Sequence, residues 1–173
     1  NGLARYDGYE FKRFFNNPND STSIKGLVVW SLFEDRKGQI WVSTGPENLN
    51  KYDPATKSFR QYDYKHLIDH PANVEIGVRA MCQDADGRIY FGVSTNYGET
   101  IPDGLLYLDE TDDTIKKFAH DDSLVIKNVF SIATDQLNNV WFLSFSGIFK
   151  IDPKGQLTKF PSLENNIRKG NEF

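Results

Sequence analysis

Hydrophobic and polar positions repeat three times along the chain with a period near 50 residues. Each copy opens with an apolar run that ends at an aspartate, and these aspartates, Asp35, Asp84 and Asp135, are 49 and 51 residues apart. Three further short apolar runs follow in each copy, separated by glycine, asparagine or proline. Runs of this length with these boundaries predict strands rather than helices. Four short strands per period of about 50 residues are typical of the blades of a β-propeller.

The first two strands of each copy are predicted to form a tight hairpin. A residue that tolerates positive φ follows three positions after the aspartate, at Gly38, Gly87 and Asn138. The aspartate can accept turn amide protons there. The second strand then carries a large aromatic residue, at Trp41, Tyr90 and Trp141. We expect these aromatics to fill the wedge between neighbouring blades, where sheets pack face to face.

The other two strands complete each predicted blade. Pro54 and Pro153 follow the aspartate that ends the third strand and are incompatible with a helix there. The fourth strand alternates apolar with basic or polar residues, which predicts an outermost, solvent-facing strand. The resulting interpretation is an all-β antiparallel protein whose nearest approach to a helix is a turn near Tyr64–His70.

The start of the chain matches only the second half of the repeat. We therefore expect a partial β-propeller of about three and a half four-stranded antiparallel blades over residues 1–173. Its expected parts are the last two strands of a preceding blade (1–15), three blades (27–64, 77–120 and 126–162) and the start of the next connection (163–173). The strands within residues 2–14 are expected to pair weakly, or with a partner chain, and the blades to form an open arc.

Composition and charge restrict the function. With 39% hydrophobic and 14% aromatic residues, the chain can bury a core. A net charge of −4 and the lack of basic runs argue against nucleic-acid binding by this segment. No run approaches the roughly 18 apolar residues of a membrane span, so no membrane contact is expected from it. The single cysteine, Cys82, excludes an internal disulfide and is expected to be buried.

No catalytic constellation emerges from the titratable residues. His66, His70 and His120 lack metal-ligand spacing, apart from an i, i+4 pair that Pro71 follows directly. The recurrent aspartates occupy turn positions, which favours a structural role over acid–base chemistry. We therefore expect no catalytic residue, no metal and no cofactor.

Candidate ligand-binding residues fall at the end of the blades where the innermost strands begin, because propellers generally bind at one mouth of the channel. The second copy has an insertion, residues 94–103, with Asn96, Tyr97 and Glu99, which suits sugar stacking and hydroxyl recognition. A decorative loop or a contact with another domain is an equally good interpretation. Trp30, Arg79 and Phe130 share one position in the innermost strands. Core packing is favoured for the two aromatics, whereas Arg79 is expected to reach solvent or ligand.

These motifs resemble those of the two-component regulator propeller repeat. The resemblance is carried by Val29-Trp-Ser-Leu-Phe-Glu-Asp35, Gly38-Gln-Ile-Trp41-Val and Asn48-Leu49-Asn-Lys-Tyr52-Asp53-Pro54. The opening Gly2-Leu3-Ala-Arg-Tyr6-Asp7-Gly-Tyr-Glu-Phe-Lys is similar to the first repeat in hybrid two-component sensors of polysaccharide-degrading gut bacteria. This resemblance implies a periplasmic sensor domain of two seven-bladed propellers, followed by a β-sandwich, one membrane span and a histidine kinase.

The function that this resemblance implies is sensing of a glycan-derived signal, which the parent protein relays to its kinase. The implied partners are an oligosaccharide ligand, the remaining blades and domains of the parent chain, and a second copy in a homodimer. Two other classes stay open. A protein-interaction scaffold would use the insertion to contact another domain, and a propeller lyase or glycosidase would need a His/Glu/Arg cluster at the channel mouth.

Overall fold

The computed structural model describes residues 2–95, 100–120 and 124–160, which form fourteen strands and one short 3₁₀ helix. An initial hairpin comprises β1 (Leu3–Tyr6) and β2 (Phe11–Phe14). The first blade comprises β3 (Val28–Glu34), β4 (Ile40–Gly45), β5 (Asn48–Asp53) and β6 (Ser58–Tyr62), followed by the 3₁₀ helix Lys65–Leu67. The second comprises β7 (Ile76–Gln83), β8 (Ile89–Thr95), β9 (Leu105–Asp109) and β10 (Thr114–Lys117). The third comprises β11 (Val129–Thr134), β12 (Val140–Ser144), β13 (Gly147–Ile151) and β14 (Leu157–Phe160).

Each blade is a four-stranded antiparallel meander whose strands lie in sequence order. The repeat register therefore predicted the sheets correctly: the fold is an all-β propeller segment. The 3₁₀ helix falls within the turn expected near Tyr64–His70. The Cα of Trp41 lies opposite that of Phe33, and Trp141 lies opposite Ala133 in the same way. This agreement shows that the three sheets share one pairing scheme.

The two ends of the blades differ, and we name them for what they carry. The hairpin end holds the turns between the first and second strands, with Gly38 and Gly87. The mouth end holds the loops that enter the innermost strands and those between the second and third strands. Ile101 donates its backbone N–H to Asn128 Oδ1 at 2.7 Å, and Gly104 donates to the carbonyl of Ile126 at 3.0 Å. These bonds place the C-terminal part of the insertion at the mouth end, as strand counting predicts.

Apolar side chains fill the space between successive blades. Between the first two blades, the buried cluster includes Trp41, Phe91, Ile76 and Leu106. Between the second and third blades, the buried cluster includes Cys82, Tyr90, Phe142 and Phe149. The aromatics of the second strands thus lie in the inter-blade wedge in the first two blades, as expected. Burial raises the pKa of the Cys82 thiol to about 12, which leaves it protonated and unreactive at neutral pH.

The initial hairpin forms a two-stranded sheet beside the first blade. β1 and β2 pair with each other over four residues, and Leu3 and Phe14 pack against the first blade. The Phe14 ring lies 5.1 Å from that of Tyr52 and 5.4 Å from that of Phe59. The two side chains cover part of the apolar surface on the far side of the first blade, while most residues of both strands stay exposed. The expectation that these strands pair weakly, or with a partner chain, stays a prediction.

The third blade is more exposed than the others. Leu143 and Ile148 are 48% and 44% exposed, whereas Ser43 and Leu49, at the same positions of the first blade, are buried. Trp141 is likewise only partly buried, whereas Trp41 is fully buried. Repeat-equivalent residues therefore experience different environments along the arc, which makes them useful controls for one another.

One hydrogen bond recurs in all three blades and joins the hairpin turn to the wedge aromatic. Trp41 Nε1 donates to Asp35 Oδ2 at 3.0 Å, and Trp141 Nε1 donates to Asp135 Oδ2 at 2.8 Å. In the second blade the Tyr90 hydroxyl donates to the aspartate Oδ2 at 3.3 Å. The other carboxylate oxygen accepts backbone N–H groups of the turn in every case. Each aspartate therefore satisfies its own turn and the buried polar atom of the aromatic residue together.

This hydrogen bonding predicts an acid-sensitive contribution in the third blade. The indole N–H of Trp141 and the amide groups of Asn139 lower the pKa of Asp135 to about 2. Because the folded pKa lies below the unfolded one, Asp135 contributes stability that is complete above about pH 4 and is lost as the pH falls towards 2. We expect Trp141→Phe, which removes the indole donor, to flatten the dependence of unfolding free energy on pH between 4 and 2. Urea titrations at several pH values would measure the slope, and an unchanged slope would contradict the assignment.

Candidate ligand site at the mouth end

A β-bulge occurs at the same place in each innermost strand. In the first blade the pairing register shifts between Val29 and Ser31, which leaves Trp30 unpaired. The same shift makes Arg79 and Phe130 the extra residues of the bulges in the other two blades. A bulge re-aims its extra side chain away from the ladder. The three residues that share one position in the sequence repeats are thus the residues at which the innermost strands bulge.

The indole of Trp30 occupies a slot lined by two glycines. A Cβ atom added to Gly45, at the end of β4, would lie 2.5 Å from the ring. One added to Gly77, near the start of β7 in the next blade, would lie 1.8 Å from it. Both distances are too short for real contacts, so only glycine fits at these two positions. Trp30 therefore packs between the first two blades, as the core interpretation predicts.

Arg79 covers the indole of Trp30. Its guanidinium carbon lies 3.9 Å from the ring centroid, a distance typical of a cation–π stack. The side chain is partly buried, and this burial lowers the pKa of the guanidinium, which still remains charged at neutral pH. The contact with the indole therefore restricts the positions that the guanidinium can take.

Phe130 lies in a separate aromatic pair. Its ring meets that of Phe145 edge to face, with centroids 4.5 Å apart. Phe145 directly follows β12 and is 54% exposed, although it is a large apolar side chain. The mouth end of the third blade therefore presents an accessible aromatic surface next to the bulge.

The structure brings together two of the six residues that the sequence suggests. Trp30 and Arg79 are in contact, and Phe130 occupies the equivalent bulge in the third blade. Asn96, Tyr97 and Glu99 lie outside the described residues. Sequence analysis missed Phe145 and the slot glycines Gly45 and Gly77. The available signal was the pair of glycines themselves, because a glycine within an apolar strand often marks a close approach of another side chain.

The described residues hold no group of three or more His, Cys, Asp or Glu side chains that could bind a metal ion. They also contain no helix that is long and apolar enough to cross a membrane. At the hairpin end, a cleft of about 420 Å³ separates the second and third blades and includes Asp84, Asp109 and Asp152. All three carboxylates already accept hydrogen bonds within their own blades. This cleft is therefore a weaker candidate than the mouth end.

Comparison with known families points to the first blade. Residues 23–45 match the two component regulator propeller repeat. This stretch runs from the loop before β3 to the end of β4, so it contains the bulged Trp30 and the Asp35–Trp41 hydrogen bond. The matched repeat is thus the unit that builds both the hairpin end and the mouth end of a blade. No curated protein matches the chain.

Solved structures share the fold of this chain. Two structures of the extracellular domain of one B. thetaiotaomicron protein, named for a one component system and for a hybrid two component system, have TM-scores of 0.66 and 0.70. They are 18% and 16% identical, and each match covers 96% of this chain but only 21% and 20% of the other. A catalytically inactive virginiamycin B lyase from Staphylococcus aureus with Quinupristin has a TM-score of 0.56 at 15% identity, covering 92% of this chain and 48% of the lyase. At these identities the likeness is one of fold.

Proposed function

We propose that the chain is part of a periplasmic sensor propeller that recognises a glycan-derived signal at its mouth end. The parent protein relays this signal to a histidine kinase in another part of its chain. The fold shared with the extracellular domain of a hybrid two component system supports the sensor assignment. Sensing of this kind is differential binding, in which the ligand stabilises one arrangement of domains or protomers over another.

The observation that carries the proposal is the stack of Arg79 on Trp30 at the bulge position. A guanidinium is planar and offers several N–H donors in a fixed fork, which suits the hydroxyl and carboxylate oxygens of a sugar. The blades on either side are close-packed sheets, so the donors are held in place before a ligand arrives. Tyr97 of the insertion would add an aromatic face for stacking.

The proposal predicts that ligand binding depends on Arg79 but not on a chemically similar arginine elsewhere. Arg88 at the hairpin end also covers an aromatic ring, that of Tyr107, at 5.0 Å. We expect Arg79→Ala to weaken binding by about tenfold or more, which corresponds to about 1.4 kcal/mol, and Arg88→Ala to leave it unchanged. Glycan-array screening of the chain, followed by calorimetric titration of the best oligosaccharide, would measure both. Equal affinities for wild type, Arg79→Ala and Tyr97→Ala would exclude this site.

A protein-interaction scaffold is the second candidate, and a specific observation favours it. The exposed ring of Phe145 beside Phe130 is the type of aromatic anchor that interfaces use. In that case a partner domain, rather than a sugar, would cover the mouth end of the third blade. Loss of a partner on Phe145→Ser, combined with no glycan binding by the wild type, would favour the scaffold over the sensor.

An enzymatic function is the least supported. The virginiamycin B lyase shares the fold, so the fold itself is compatible with catalysis. A lyase or glycosidase would need an acid–base cluster at the mouth end. Among the described residues there, Glu47 is paired with Lys65 in the first blade. Asp103 is paired with Lys117 and His120 in the second blade, so the two acids are divided between blades. Degradation of the bound oligosaccharide on prolonged incubation would favour the enzyme.

A further inference from the structure

A second cavity lies at the mouth end of the first blade, on its outer side. It has a volume of about 410 Å³, within the usual range of ligand sites. Its polar lining consists of two lysines, two acids and two amides: Lys25, Lys65, Glu47, Asp63, Asn48 and Gln61. These residues come from the loop before β3, from the turn between β4 and β5 with the first residue of β5, and from the end of β6 with the segment that follows it. We call this space the outer cavity.

The polar lining of the outer cavity carries no net charge. Lys65 Nζ lies 2.6 Å from Glu47 Oε2, and Lys25 and Asp63 add one charge of each sign. An ionic ligand would have to compete with the existing ion pair between Lys65 and Glu47, whereas a neutral ligand would not. The two other lining residues, Leu49 and Tyr62, are buried, so they offer little surface to a purely apolar ligand. Donors and acceptors in equal supply suit a neutral molecule rich in hydroxyl groups.

The wall that carries Lys25 is held by buried polar groups. Asn50 Oδ1 accepts the backbone N–H of Lys25 at 2.9 Å, and Asn50 Nδ2 donates to the Lys25 carbonyl at 3.2 Å. Thr44 Oγ1 donates to the same carbonyl at 2.5 Å. Asn50 and Thr44 are both fully buried. The loop therefore has one position, and the cavity wall exists before any ligand binds.

The fold does not require this buried network. Leu106 and Phe149 occupy the position of Asn50 in the other two blades, and both are fully buried. A leucine or phenylalanine thus satisfies the blade at that place. Burying an amide instead is unfavourable unless every hydrogen bond is made. In the first blade, the buried Asn50 amide makes these hydrogen bonds to the Lys25 backbone, and they hold the Lys25 loop in place.

The second blade gives a matched comparison for Glu47. Glu47 and Asp103 both have left-handed backbone, with φ of 57° and 55°, and both precede the third strand of their blades. Asp103 pairs with Lys117 at 3.3 Å and with His120 at 3.4 Å. Lys117 stands where Gln61 stands in the first blade. The first blade therefore has the neutral Gln61 where the second blade has Lys117. The lysine that pairs with Glu47 is instead Lys65, which follows β6 and lines the cavity.

We infer that the outer cavity is a subsite for one neutral sugar unit, separate from the Trp30–Arg79 stack. This inference rests on the proposed glycan-sensing function and names the class of sugar for this subsite. Glu47 and Gln61 accept and donate hydrogen bonds to sugar hydroxyls, while Lys65 holds the Glu47 carboxylate in place.

Titration of the chain with maltotriose, cellotriose, mannotriose, xylotriose and digalacturonate tests the subsite, with heat as the readout. At least one neutral trisaccharide is expected to bind more tightly than digalacturonate. Glu47→Gln and Gln61→Ala are expected to weaken that binding by about fivefold to tenfold, the loss of one or two hydrogen bonds. Asp103→Asn, the matched change in the second blade, is expected to leave it unchanged.

Glu47→Gly separates binding from folding, because glycine adopts a φ of 57° without strain. Its melting temperature is expected to stay at or above that of the wild type, while sugar binding falls as in Glu47→Gln. Neutral-sugar binding that depends on Arg79 but not on Glu47 or Gln61 would overturn the subsite and leave the proposed function standing. Tighter binding of digalacturonate than of any neutral sugar would also overturn it. Absence of binding by every sugar would overturn both.

Discussion

Replacing Trp41 by alanine is expected to lower the free energy of unfolding by about 3–5 kcal/mol, the usual range for a fully buried tryptophan. Trp41 has no exposed surface and lies 5.1 Å from Phe91 of the next blade, measured between ring centroids. Its loss would open a cavity in the inter-blade wedge. It would also remove the indole donor of the buried Asp35 carboxylate. Guanidinium unfolding of the chain, followed by tryptophan fluorescence and circular dichroism, would measure the change.

The equivalent change in the third blade serves as the control. Trp141 makes the same hydrogen bond to Asp135 but is only partly buried. We expect Trp141→Ala to lower the free energy of unfolding by about 1–2 kcal/mol, since less apolar surface is lost from the core. Equal effects of the two substitutions would indicate that the hydrogen bond, rather than burial in the wedge, dominates. Trp41→Phe would then reproduce most of the loss caused by Trp41→Ala.

Replacing Gly77 by alanine is expected to destabilise the chain by about 2–3 kcal/mol, the upper range for overpacking of a core. A methyl group at this position would overlap the indole of Trp30, which has Gly45 on its other side. The ring would have to leave the slot, and the Arg79 stack would be lost with it. We therefore expect Gly77→Ala to reduce glycan affinity as well as stability.

A double-mutant cycle with Trp30→Ala isolates the steric clash. Once the indole is absent, the added methyl group has room, so the double mutant is expected to be more stable than the sum of single effects by at least about 1 kcal/mol. Val28 occupies the same position as Gly77 in the first blade and is 46% exposed, so Val28→Ala is expected to change stability by less than about 0.5 kcal/mol. Additive effects of Gly77→Ala and Trp30→Ala would contradict the slot.

The sheets could be predicted from the sequence because their signals are local. The run before Asp35, the turn residue Gly38 and the aromatic Trp41 recur with nearly constant spacing, and each element of the pattern has its own physical cause. The hydrogen bond between Asp35 and Trp41 also has a local sequence signal, although it was not predicted. An aspartate precedes a hydrogen-bonding aromatic by six residues in all three copies, and the residue that replaces tryptophan in the second copy is tyrosine, which keeps a polar hydrogen.

The site was less predictable because it depends on contacts between repeats. The alignment placed Trp30 and Arg79 at equivalent positions but gave no reason for them to touch, since they are far apart in sequence. Their contact arises from the two bulges and from the space that Gly77 leaves. The packing of Phe14 on Tyr52 was missed for a similar reason: a pattern of strands does not say which sheet face two extra strands will cover.

The recurring bulge has a consequence for how such a protein can diversify. Trp30, Arg79 and Phe130 differ in size, charge and polarity, yet the strands around them keep the same pairing register. A residue that contributes little to the ladder can change without a change in the sheet. Under the proposed function, sequence drift at these positions would alter what the mouth end binds while each blade keeps its strand pairing, so that relatives with the same architecture would acquire new specificities by single substitutions.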